Sequence, residues 1–412
     1  MKINRRLLER YCSLVTILTP FLMMYYVGLS TTTFLDVAIL LGYAGILCTE
    51  KTSLRIDEFK LAIIVFCGYI FVNYCTNIFF QTFSVFGVLL RTVRFLVYLS
   101  WPVLICGKFF DEKFTFTCYK YICIFATGFL LLQYIFLKFL NISLPGYIPF
   151  FTLSRPELKE FTESLYMSSF ARPRSIFAEP SQFGIYVTGY LCIQLLKNKK
   201  SFHIPLYLFL AFGLMLSGST TSYFGLGLSL LIIACNFFKS IKFRIPLKRV
   251  LWYWSGLVLV LLAVFTQFNR IIAIVDKAIV RMPTSFRNRL GGYKLLNDFF
   301  TDQPLFSILF GIGMDVDVLN NVVWTSSIVK IVFYFGIVGT GLLIGIIIMG
   351  IFKLEVPNRR LLLIIVFLGF FTEVLVSSWL VLFLPFMYSC ERHNMIFYKK
   401  EYVPEPVQCQ NN

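Results

Sequence analysis

Arg172, Arg174 and Glu179 sit close together in Phe170-Ala171-Arg172-Pro173-Arg174-Ser175-Ile176-Phe177-Ala178-Glu179-Pro180-Ser181, where a polar stretch runs into an apolar one. A guanidinium presents a fixed fork of donors that matches phosphate oxygens, so two arginines here suit an anionic ligand. Pro180 reads as the first residue of the following helix. That places Glu179 at or beside the N-cap, where the helix dipole favours a carboxylate. Two roles are open to Glu179: a cap or arginine partner, or a general base for a hydroxyl. Arg91 and Arg94, in VLLRTVRFLVYLS, are three apart and share one helical face. Too far from the ends of their apolar run to snorkel easily, they must face a polar cavity or pair with an acid, which Asp36 or Glu373 can supply. Arg287 and Arg289, in Ser285-Phe286-Arg287-Asn288-Arg289-Leu290-Gly291-Gly292-Tyr293, repeat the Arg-x-Arg spacing.

Other chemistries lack their residues. The chain has 2 histidines, His203 after Lys199-Lys200 and His393 after Arg392, so no Ser/His/Asp arrangement is available beside the arginines. Its 11 cysteines lie in apolar runs, at their edges or in the tail, without a CxxC pair or a His/Cys cluster. They read as small hydrophobes rather than metal ligands or disulfide partners. Asp315-x-Asp317 reads as an exposed acidic turn, and no metal is expected. Gly311-Ile312-Gly313 lacks the third glycine and the strand-helix context of a nucleotide fingerprint, and its glycines read as a tight turn. No cofactor is expected.

The elements that must position these residues are apolar. The 412 residues are 58% hydrophobic and 14% charged, with mean hydropathy +0.77. A soluble domain carries about 25% charged residues. Runs long enough to cross a bilayer, or nearly so, occupy about 11–29, 33–49, 60–80, 83–106, 117–140, 181–196, 204–218, 220–238, 250–268, 326–352, 361–377 and 378–390. The formal charge of +17 does not imply nucleic acid, because the basic residues punctuate these runs instead of forming a domain. Arg5, Arg6 and Arg10, Lys197, Lys199 and Lys200, and Lys353, Arg359 and Arg360 fall in loops of one side. The short loops of the other side hold none, which predicts both termini in the cytoplasm. The opening MKINRRLLER and its apolar run lack a small-residue cleavage site and read as an uncleaved first span.

Two long loops, about 141–180 and 269–325, then lie outside, and a tail of about 391–412 inside. Pro156 can open a short helix with Leu158, Phe161 and Leu165 on one face. Ile271, Val275, Ile279 and Met282, and then Leu290, Tyr293, Leu296 and Phe300, also recur at helical spacing. These are interfacial amphipathic helices or helices that cover span ends. The expected fold is an all-α polytopic integral membrane protein, one membrane domain of about 12 transmembrane helices with two large outer loops.

A basic stretch running into Glu179-Pro180-Ser181 at a span start, between two large outer loops, resembles the O-antigen polymerase (Wzy-type) family. The second loop, with Arg287 and Arg289 and its ending in Pro304-Leu305 and Gly311-Ile312-Gly313, is similar too. The resemblance covers roughly 80–400 in layout and these two stretches in motif. It implies a metal-independent glycosyltransferase in the bacterial inner membrane, acting at the periplasmic face. Undecaprenyl-pyrophosphate-linked repeat units would be joined into O-antigen or a related surface polysaccharide, with undecaprenyl pyrophosphate leaving. Arg172, Arg174, Arg287 and Arg289 would act with Glu179 in catalysis, and Arg91 and Arg94 would bind the pyrophosphate. The partners implied are lipid-linked glycans and membrane lipid, with a chain-length regulator as a further protein partner to test. O-antigen ligases share the architecture but carry a histidine in the second loop, where this chain has Asn320-Asn321. A lipid-linked oligosaccharide flippase is the alternative from another class, although it needs no long outer loops.

Overall fold

A computed structural model describes residues 4–28, 32–49, 57–80, 85–142, 144–148, 150–154, 172–197, 203–240, 293, 295–314 and 326–388. Among them the chain is helical, with two isolated bridges, Tyr25 to Leu153 and Tyr26 to Thr33, in place of a sheet. In order the helices are α1 Arg5–Leu22, α2 Phe34–Leu47, α3 Glu58–Phe80, α4 Val85–Ile105, α5 Glu112–Ile135, α6 Pro180–Lys197, α7 Ile204–Leu216 and α8 Thr220–Ser240. A short α9, Leu305–Phe310, precedes α10 Ser327–Lys353, α11 Val356–Gly369 and α12 Trp379–Tyr388. Expected runs thus coincide with helices, except that 250–268 lies outside the described residues. The run at 361–377 differs: its helix starts earlier, at Val356, and stops at Gly369, followed by the 3-10 turn Val374–Val376.

Local sequence explains most helix starts. The Asn4 side chain caps α1, Asp111 caps α5, and Ser326 caps α10. Thr33 and Asp36 form a reciprocal capping box at α2. Pro180, Pro205 and Pro357 occupy first-turn positions where no intrahelical N–H is needed.

Among the described residues, four helices are long and apolar enough to cross a membrane: α3, α4, α5 with its continuation to Leu140, and α10. Their outward side chains, among them Leu61, Val65, Phe71, Phe86, Phe125 and Leu132, are large, apolar and exposed. A soluble monomer does not expose apolar surface so continuously, whereas hydrocarbon covers it at no cost. The chain is therefore a membrane protein. Inside the bundle, tyrosine hydroxyls stay satisfied as a bilayer demands: Tyr119 donates to the Tyr186 carbonyl (2.6 Å), Tyr186 to Ile17 (3.0 Å) and Tyr69 to Phe335 (2.6 Å).

The helix α10 is broken. Gly336 takes φ 63° and ψ −166°, a region open only to glycine, inside an otherwise apolar helix. The carbonyls freed by the break accept from elsewhere: Phe333 from Ile312 N–H (2.8 Å), Tyr334 from Gly313 N–H (3.2 Å), Phe335 from Tyr69. Gly311 and Gly313 both have positive φ, as the tight-turn reading expects, and Gly311 lies against Gly336 with no room for a Cβ on either. The segment after α9 is thus packed between α3 and α10, with Asn73 of α3 donating to the Phe310 carbonyl. Just before α9, residues 295–302 are helical. Tyr293, Leu296 and the buried Phe299 pack on the bundle there while Phe300 points away, so this element covers helix ends. The runs at 156–165 and 271–282 lie outside the described residues.

Candidate functional site

The charged stretch 172–181 crosses one end of the bundle, the end that also carries Thr33 and Ser326; we refer to it as the upper end. Its conformation is set from α5. Gln133, one of the few polar residues in that apolar helix and buried, accepts from the backbone N–H groups of Arg174 (3.2 Å) and Ser175 (2.7 Å). Its amide donates to the carbonyls of Ser175 (3.1 Å) and Leu144 (3.0 Å). Two turns earlier on α5, the Ala126 carbonyl accepts from Ser175 Oγ (2.6 Å). Ser175 is thereby held at φ 59°, a left-handed corner unusual for serine. Gly146 lies so close to the Ser175 carbonyl that a Cβ would overlap it.

From this corner the charged side chains diverge. Arg172 Nη1 donates to the Gly218 carbonyl (3.0 Å) in the turn between α7 and α8. Arg174 is only 3% exposed; its Nη1 donates to the Ala178 carbonyl (3.1 Å) and its guanidinium lies 5.5 Å from the Tyr147 ring centre. Phe177, fully buried, packs on Phe21, Phe183 and Tyr186 and pins the stretch to α1 and α6. Glu179 follows at the start of α6, half-buried, its carbonyl accepting from Gln182 and Phe183 N–H and its carboxylate from Ser181 Oγ (3.0 Å). Every residue of α6 from Phe183 to Leu196 is buried, so Glu179 stands on a rigid post.

On α4, Arg94 Nη2 lies 3.1 Å from the Asp36 carboxylate. Of the two acids open to it, Asp36 is the partner; Glu373 instead pairs with Lys330 of α10 at 2.7 Å. Asp36 also accepts from Tyr98 Oη (2.9 Å) and from the Thr33 backbone (2.8 Å) and hydroxyl (2.9 Å). The pair is not sealed: the Arg94 side chain is 32% exposed, and Arg91 is half-buried one turn nearer the upper end. The start of α2, which carries Asp36, is linked to the start of α6 through packed loops. The α1–α2 turn bonds to the loop after α5 through Tyr26 N–H to Thr152 (2.9 Å) and Ser154 N–H to Met24 (2.8 Å). Met24 and Leu153 in turn pack on Ala178, next to Glu179. Beneath, a cavity of about 60 Å³ lined by side chains such as Phe95, Leu99, Ile331 and Phe335 is apolar.

Arg172, Arg174 and Glu179 thus share one segment at the upper end, while Arg91 and Arg94 lie in the upper half of α4, Arg94 tied to Asp36 at the start of α2. Arg287 and Arg289 lie outside the described residues. Gln133 and the hydroxyl-rich turn Ser217-Gly218-Ser219-Thr220-Thr221-Ser222 carry no charge and were not singled out by sequence. Their signals are present, however: an amide within an apolar run, and hydroxyls clustered at a span junction. The serines of that turn are buried, Ser217 Oγ donating to Ser222 Oγ (2.7 Å). No family model matches the chain, and no curated protein matches it.

Proposed function

We propose that the chain is a membrane glycosyltransferase of the O-antigen polymerase type, working at the upper end with that end facing the periplasm. The observation that carries this reading is the stretch 172–181. It carries two arginines and a glutamate in one short segment, on a frame braced by α5, α6 and the α7–α8 turn. Supporting it, Arg91 adds positive charge on α4 towards the same end, beside the Arg94–Asp36 pair, and the basic residues Arg5, Lys60, Lys113, Lys197 and Lys353 stand at the other.

In this reading the donor is a glycan on undecaprenyl pyrophosphate. Glu179 takes the proton of the acceptor hydroxyl as its oxygen bonds to the donor's anomeric carbon, and the bond from that carbon to the pyrophosphate oxygen breaks. The charge that develops on the leaving pyrophosphate meets Arg172, with Arg91 and Arg94 and, from the second loop, Arg287 and Arg289. Arg174, at 3% exposure, acts through its charge and through the shape of the loop.

Deleting the gene and running the cell's lipopolysaccharide on a gel tests the class. Core carrying a single repeat unit is expected. Bare core overturns the polymerase in favour of a ligase or a flippase, and the side on which lipid-linked glycan accumulates separates those two. Restoring the gene with Arg172→Ala or Arg287→Ala should lower polymer by about 100-fold at normal protein level. Full polymer from both removes the arginine clamp.

A further inference from the structure

We propose that Gln133 is a positioning residue for the catalytic stretch, setting where Arg172 and Glu179 stand; this rests on the polymerase reading. A primary amide offers two N–H donors and an oxygen with two lone pairs. Gln133 uses all of them on backbone, and all on two segments that meet nowhere else in sequence, the turn after α5 and the corner at Arg174–Ser175. Asparagine carries the same amide but is one methylene shorter, and no other residue type has that set of donors and acceptors. Glutamate keeps the acceptor but sets its second oxygen against the carbonyls of Leu144 and Ser175. Methionine keeps the length and volume and makes none of the bonds. Methionine leaves the Arg174 and Ser175 N–H groups buried without an acceptor, and glutamate leaves the Leu144 and Ser175 carbonyls without their donor, losses that a membrane interior tolerates poorly.

The consequence is directional. Ser175 keeps its left-handed φ because three of its polar groups are tied to α5, its N–H and carbonyl through Gln133 and its hydroxyl through Ala126. Releasing two of the three lets the corner relax towards ordinary backbone. Arg172 and Glu179 lie on opposite sides of it, so their separation changes while each keeps its own local bonds. Positioning errors of about 1 Å cost about 100-fold in rate even when binding survives.

The test compares Gln133→Met with Tyr119→Phe, which removes a buried hydrogen bond from α5 to α6 away from the corner. Purified chain in proteoliposomes is given a synthetic undecaprenyl-pyrophosphate-linked repeat unit, and rates are normalised to folded protein. Gln133→Met is expected to lower kcat by about 10- to 100-fold with KM within about twofold, while Tyr119→Phe keeps the wild-type kcat. Equal kcat in the two variants overturns the positioning role. Hydrogen exchange supplies a readout independent of turnover: amides 173–178 should exchange faster in Gln133→Met and at the wild-type rate in Tyr119→Phe. Faster exchange at 173–178 in Gln133→Met, together with a wild-type chain that makes no polymer, sinks the polymerase reading and keeps the brace. Unchanged exchange at 173–178 sinks the brace itself.

Discussion

Asp36 accepts from three residues, and those contacts explain why a carboxylate sits in an apolar helix. Its oxygens accept from Thr33, Tyr98 and Arg94, so one side chain caps α2 and ties α2 to α4. The acid is 15% exposed and the arginine 32%, between the surface pairs that contribute up to about 1 kcal/mol and the buried ones that cost about 3–5 kcal/mol to break. Asp36→Asn should therefore cost about 1–3 kcal/mol, read as a lower melting temperature in detergent. An unchanged melting temperature would mean that water already screens the pair. That Arg94 needs a polar cavity or an acid is legible in the sequence, because a charge in a span is costly. Which acid is not: Asp36 and Glu373 are equally plausible until the helices are placed, and Lys330 then claims the second.

At the scale of elements, the break in α10 decides how the upper end is closed. Gly336 and Gly311 abut, and the residues around them exchange hydrogen bonds between the broken helix and the segment after α9. A Cβ at Gly336 meets the Leu309 carbonyl and the Gly311 amide, and its φ and ψ are strained for any other residue. Gly336→Ala is expected to destabilise by about 3 kcal/mol or more. Gly341→Ala, in the same helix with nothing within 4 Å of the new Cβ, should be neutral or stabilising by up to about 1 kcal/mol. Melting curves of the two variants decide this, and equal losses would remove the break as a structural necessity. Nothing local marks Gly336 as the break: residues 326–352 read as one apolar run with several glycines. The φ of Gly336 follows from the docking of 309–313, which is remote in sequence.

For the whole molecule, charge and hydropathy predict the same orientation. Described basic residues such as Arg5, Arg6, Lys108, Lys113, Lys197 and Lys353 stand at the end opposite to Arg172 and Glu179. From this the positive-inside rule predicts that the upper end faces away from the cytoplasm, as the proposed function requires. Alkaline phosphatase, which is active only outside the cytoplasm, tests this when fused at chosen positions. Fusion after Asn141 should give active reporter and fusion after Lys197 inactive reporter. The reverse pattern would invert the protein and place Glu179 on the cytoplasmic side, ending the periplasmic reading.

The sequence by itself determined the class of the molecule and most helix starts, because bilayer hydrocarbon imposes a run length and caps are local. It also located the arginines and Glu179, since charge at the edge of an apolar run stands out in one dimension. The tertiary structure decided what those charges touch. Arg172 turns to Gly218, Arg174 folds inward to Ala178, Arg94 pairs with Asp36, and an uncharged glutamine holds the corner. These are contacts between residues far apart in the chain, chosen by which helices lie side by side, and no local preference encodes them.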